Sequence, residues 1–218
     1  MILTAINLIF RDVSGRLLVV ADAAPLVFDL CPVIQHNDPE HGQITIGIVP
    51  GSMYYVAEKC GLAPETLLGK TLAVSLTDAS EMMRNDTFYH FKNGYFNRAK
   101  VRRDPSVLDT EPYYKWLSHF ERFLRNKAAG EEPMTQDYHK PGPFFLGAQM
   151  CYADVAVYDT VMGMWAMDLF DEAAGRAKSP LLCALIEAVA NSPGLEEYEE
   201  KRGTANCNIN AHFSRIFH

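Results

Sequence analysis

Apolar positions recur along this chain at more than one period, and the changes of period mark its parts. Residues 2–10, Ile-Leu-Thr-Ala-Ile-Asn-Leu-Ile-Phe, are β-branched and apolar and predict a buried strand. Residues 11–24 place Val13, Leu17, Val20 and Ala24 at helical spacing, and Pro25 ends that helix. A polar turn is expected over His36–Gly42, followed by a short strand at Gln43-Ile44-Thr45-Ile46. Pro50 suits a first helical turn, and the helix it opens runs through Tyr55-Val56-Ala57 to a stop at Gly61.

Ala63-Pro64-Glu65 marks a domain boundary, and the periodic stretches beyond it are helical. From Thr66 to about Asn85, Leu68, Leu72, Leu76, Ala79 and Met83 share one face. The segment Asp86–Asp109 is aromatic and then basic, and reads as an extension of that helix followed by a solvated connector. A second long helix, Glu111–Lys127, carries Tyr113, Trp116, Leu117, Phe120, Phe123 and Leu124 at i, i+3, i+4 and i+7. After a polar loop at Ala128–Pro143 comes the stretch Phe144–Asp159. Asp154 stands three residues after Cys151, where the carboxylate of a capping box turns back to the cap N–H. Met150 and Val155 are spaced as a hydrophobic staple. From Val155 to Met167 the helix is apolar on nearly every face, which predicts a buried core helix. Two more helices are expected, one opening at Ser179-Pro180 and one at Ser192-Pro193.

Composition narrows this only a little. At 218 residues the chain has room for one large domain or two small ones. A net charge of −7 without a basic block argues against nucleic acid and anionic membrane as partners. No segment has the roughly 20 consecutive apolar residues of a membrane span, and no signal peptide is expected. The five cysteines, Cys31, Cys60, Cys151, Cys183 and Cys207, are odd in number and form no CxxC pair, the pattern of reduced thiols in a cytoplasmic protein. His36, His41, His90, His119, His139, His212 and His218 show no metal-ligand spacing, so no metal is expected. No phosphate loop or Ser-His-Asp pattern is present.

Several of these stretches together resemble the glutathione transferase superfamily, with a sigma-like pattern. Phe145-Leu146-Gly147 and Tyr152-Ala153-Asp154 match the lead-in and cap of that family's core helix, with Cys151 in place of its hydroxyl cap. Leu3-Thr4-Ala5-Ile6, Arg11 and Arg16-Leu17-Leu18 are similar to its first strand and helix. Phe28-Asp29-Leu30-Cys31-Pro32-Val33-Ile34 resembles the segment that carries a cis-proline in thioredoxin-like folds, and Tyr55-Val56-Ala57 with Gly61-Leu62 resembles the last helix of that domain. The resemblance implies a reduced thioredoxin-like α/β domain over residues 1–62, packed on an all-helical domain over 63–218. "Reduced" has a specific meaning here. About five residues separate Pro25 from the strand near Leu30, whereas a strand-crossing helix needs at least about 10–12. The second strand and second helix of the family are therefore expected to be missing. An alternative register sets Gly42–Ile46 on the cis-proline strand, with Thr45 replacing the proline, and loses the final strand instead.

The resemblance also says which residues would meet glutathione. The family activates the thiol with a hydroxyl near the first strand, and the tyrosine position is Ala5 here; Ser14 is the nearest hydroxyl of the serine type. Arg11 matches a family arginine beside the site. Cys31 and Pro32 would present backbone to the tripeptide, and Cys31 is also a candidate thiol. Ile48 and Val49 occupy the positions whose polar side chains grip the γ-glutamyl carboxylate in the family, and two apolar groups cannot do so. Met82 and Met83 fall where the family places its electrophile pocket. Two functions follow as expectations: conjugation of glutathione to a small hydrophobic electrophile through a weakened site, or a non-catalytic homologue acting as a dimeric binding or scaffold protein. A homodimer is implied in both.

Overall fold

The computed structural model describes residues 33–47, 49–92, 112–130, 141–166, 172–193 and 195. The predicted strand at 2–10, the helix at 11–24 and the expected gap before Leu30 lie outside these residues.

Strand β1 (Val33–Asp38) pairs antiparallel with β2 (Gly42–Gly47), in a register running from Val33 opposite Gly47 to Asp38 opposite Gly42. The polar turn is thus shorter than the sequence suggested: His36, Asn37 and Asp38 are strand, and only residues 39–41 turn. Asp38 explains this. Its buried carboxylate accepts the backbone N–H groups of Glu40 (3.0 Å) and His41 (3.1 Å), the Lys59 ammonium (2.9 Å) and the Tyr55 hydroxyl (3.4 Å). A carboxylate bonded in this way to the N–H groups two and three residues on is an Asx-type turn, and Gly42 supplies the positive φ of +73° that closes it.

Helix α1 (Val49–Cys60) packs back on the hairpin through Val56 and Ile34. It ends as predicted at Gly61, φ +70°, with Leu62 N–H bonding back to Ala57 C=O at 2.9 Å. Leu62 C=O in turn accepts the N–H of Tyr152, at 3.1 Å, and so ties this end of α1 to the core helix.

Helix α2 (Leu67–Lys92) runs on beyond Asn85, in line with the extension expected from Asp86. Its buried face combines Ala73, Leu76 and Met83 with Thr77, Ser80 and Thr87. Three small polar residues are tolerated there because each hydroxyl donates to a carbonyl of its own helix, those of Ala73, Thr77 and Met83. Helix α3 (Pro112–Ala129) buries the predicted Tyr113, Leu117, Phe120 and Leu124, and Tyr114 besides. The loop before the core helix doubles back in an antiparallel bridge between Phe144 and Gly147.

Core helix α4 (Tyr152–Ala166) buries Val157, Val161 and Met164 between its neighbours. Asp154 makes the predicted capping-box bond to Cys151 N–H, at 2.8 Å. Its second oxygen accepts Phe145 N–H at 2.9 Å, so one carboxylate holds both the helix start and the loop that leads to it. From α3, the ammonium of buried Lys127 donates to the carbonyls of Gly142 (3.1 Å) and Phe144 in the same loop.

Short helix α5 (Glu172–Lys178) was not foreseen. Helix α6 (Pro180–Ala190) begins at the predicted Ser179-Pro180, but the Ser179 hydroxyl makes no capping bond. Glu121 of α3 does that work instead, accepting Leu181 N–H (2.9 Å) and Leu182 N–H (3.0 Å).

Candidate functional site

The described part of the candidate site is the junction where β2 passes into α1. Helix starts present unbonded N–H groups and the positive end of the helix dipole, so they favour anions. The first turn of α1 carries no acidic side chain. Pro50 lacks an N–H, while Gly51 and Ser52 keep theirs. Ser52 is the hydroxyl of that turn, and sequence reasoning passed over it. It is buried and donates to Ile46 C=O at 3.4 Å, so it braces the strand instead of facing outward. A carboxylate docking at this turn would meet backbone amides and no polar side chain of Pro50, Gly51 or Ser52.

Of the residues expected at the site, Val49 opens α1. Ala5, Arg11, Ser14, Cys31, Pro32 and Ile48 lie outside the described residues. The two methionines of α2 part company: Met83 is wholly buried, while Met82 is 55% exposed. Core packing accounts for Met83, and Met82 alone is open to a ligand.

Burial sets the acid–base character of the described thiols. It pushes Cys60, Cys151 and Cys183 above the usual thiol range, and Asp154 beside Cys151 adds to the effect there. None of the three is held as a thiolate at neutral pH. Beside the end of α1, Glu58 pairs with Lys70 at 2.6 Å and accepts from the Tyr54 hydroxyl; Lys70 first and Tyr54 second lower its carboxyl, and Glu58 raises the phenol. These groups join α1 to α2 and are already engaged with one another. Among the described residues no group of His, Cys, Asp and Glu is arranged to hold a metal, and no helix is long and apolar enough to cross a membrane.

A β-hairpin and helix tied to a helical bundle whose central helix opens on a carboxylate capping box define the two-part thioredoxin-like and all-helical architecture. Comparison with known proteins makes the family explicit. Residues 85–202 match the family model described as glutathione S-transferase, C-terminal domain, which is more than half of the chain, and the chain belongs to that family. No curated protein matches the sequence. Solved structures do. A Pi-class glutathione S-transferase of Onchocerca volvulus superposes with a TM-score of 0.56 at 22% identity, over 76% of this chain and 69% of that one. A glutathione S-transferase of Caenorhabditis elegans gives 0.51 at 21% identity, over 73% and 70%. A monomeric glutathione S-transferase of the hookworm Necator americanus gives 0.53 at 18% identity, over 72% and 69%. At these identities the likeness concerns the fold.

Proposed function

We propose that this chain is a glutathione transferase-like protein with a weakened glutathione site, which conjugates the tripeptide slowly to small hydrophobic electrophiles. The observation that carries this reading is the first turn of α1. It offers an anion its backbone N–H groups but no polar side chain, because the Ser52 hydroxyl is committed to Ile46 C=O. Recognition through backbone survives such a change, with lower affinity. On this reading Arg11, Cys31, Pro32, Ile48 and Val49 line the site, Ala5 stands at the activator position with Ser14 nearby, glutathione is a substrate and no metal takes part. The domains divide at residues 62 and 63, and the protein is cytoplasmic with a detoxifying role.

The second reading is a non-catalytic homologue that serves as a dimeric binding or scaffold protein. It is favoured by the outer side of α2, where Leu67 (82% exposed), Leu68, Val74 (41%) and Met82 face solvent in a single chain. A homodimer that covers this face suits either reading, and the molar mass in solution tests it. Retention on immobilised glutathione, followed by a conjugation assay with a general aromatic electrophile, separates the two. Weak retention with slow turnover supports the first reading. Neither retention nor turnover supports the second, and tight retention with rapid turnover contradicts both.

A further inference from the structure

Helix α3 presents an exposed basic stripe that nothing in the glutathione reading uses. Lys115, His119 and Arg122 are exposed at spacings of four and three residues, which places them side by side on one face. Arg122 lies 3.4 Å from the His119 ring, and partial desolvation of that ring, with Arg122 and Lys115 adding to it, lowers the pKa of His119. The one carboxylate of this helix, Glu121, points the other way and is occupied at the start of α6. The nearby Asp86 on α2 accepts the Trp116 indole N–H at 2.9 Å.

Five other cations of the described residues are held by acids. In an acidic chain, Lys59 meets Asp38, Lys70 meets Glu58, Arg84 meets Asp159, Arg125 meets Glu121 and Arg176 meets Glu172, each within 4 Å. Lys115 and Arg122 have no carboxylate partner among the described residues, and both lie close enough to His119 to act on its ring. Two unpaired cations left on one helix face of a chain with acid to spare mark that face as complementary to an anionic partner.

We infer that the Lys115–His119–Arg122 face of α3 docks an acidic segment of a protein partner. Its reach favours a peptide. Seven residues of helix span about 10 Å. Carboxylates on alternate residues of an extended segment stand about 6.6–6.8 Å apart, and those three or four apart on a helix about 5–6 Å, so two or three carboxylates match the stripe. Nucleic acid is a poorer fit, since proteins held by the phosphate backbone make roughly 6–10 phosphate contacts and this body carries a charge of −7.

The test is a fluorescence-anisotropy titration of the full chain with a labelled hexaglutamate peptide at low salt. Saturable binding is expected, weakening several-fold as salt rises to the physiological range. Arg122→Glu should weaken it at least fivefold, and Lys178→Glu, the same change of net charge on α5, less than twofold. Both positions are exposed, and an unchanged circular dichroism spectrum and melting curve establish that each variant is folded. The inference is overturned by absent or non-saturable binding, or by equal loss in the two variants. It is equally overturned if a DNA duplex or phosphatidylserine vesicles bind more tightly than the peptide through the same residues. Self-association abolished by Arg122→Glu would assign the face to a second copy of the chain and overturn it too.

Discussion

Replacing Asp154 by alanine tests the joint between the loop and the core helix. The wild-type carboxylate is wholly buried and accepts two backbone N–H groups, those of Phe145 at 2.9 Å and Cys151 at 2.8 Å. Alanine leaves both donors buried without acceptors, because Phe145 and Cys151 are themselves buried and water does not reach them. An orphaned buried donor costs about 1–3 kcal/mol, so the pair costs about 2–6 kcal/mol. Part of this is returned. Burial outweighs the two N–H bonds and Lys127 and raises the Asp154 carboxyl above its ordinary value, so the wild type bears the cost of a buried charge that alanine removes. A net loss of about 3 kcal/mol is expected, against a typical stability of about 5–15 kcal/mol. For a chain of this size that corresponds to about 6–12 °C in Tm. Asparagine should not rescue it, since its amide nitrogen would face one of the two N–H donors.

The pH dependence has a definite sign. A carboxyl whose folded pKa is raised holds its proton more tightly in the folded state. Its contribution to stability therefore declines as pH climbs from the ordinary value of 3.8 through the raised one. The gap between wild type and Asp154→Ala should be widest in acid and narrow toward neutrality. Urea unfolding followed by circular dichroism at several pH values measures this. A variant that melts within about 2 °C of wild type, or a gap that widens toward neutral pH, would refute the reasoning.

Three other outcomes are expected. Ala5→Tyr should raise conjugation of a general aromatic electrophile if the remainder of the site binds glutathione; an unchanged rate would mean that more than the activator has been lost. Asp38 has the opposite linkage to Asp154: Lys59, the Glu40 amide and His41 hold its carboxyl well below the usual range, so its stabilisation is complete above pH 3.8 and is lost as pH falls below that. Asp38→Asn should accordingly flatten the acid limb of a stability–pH curve, and an unaltered limb would contradict the turn described above. Gly142→Ala should lower stability by about 1–3 kcal/mol in urea unfolding, as overpacking does, because a Cβ there would come within 2.3 Å of Gly147 C=O and 2.5 Å of the Ala148 backbone.

The helical half was readable where a local rule governs it. Asp154 was found because a capping box depends on a fixed three-residue offset, and Gly61 because a helix stop needs a left-handed residue. Contacts across the fold were invisible by the same logic. The spacing of α3 sets Glu121 four residues after Leu117 and Lys127 three after Leu124, on the apolar face, but says nothing of the amides and carbonyls they reach across the fold. Helix α5, Glu-Ala-Ala-Gly-Arg-Ala-Lys, has no large apolar residue to set a period and went unnoticed. Asp38 was placed in a turn on composition, while its side chain reaches Lys59 from the end of a strand. At the candidate site, the lack of polar grip at Val49 was legible from residue type. The inward rotation of Ser52 was not, because it depends on a carbonyl in the preceding strand.

The bond from Glu121 to Leu181 and Leu182 has a consequence for how the bundle comes together. Helix α6 has 11 residues, about the length at which an isolated helix is marginal in water. Its opening amides find their acceptor 60 and 61 residues upstream, on another helix. The last described helix is therefore a dependent piece: cut away from α3 and expressed alone, it would have no template for its first turn.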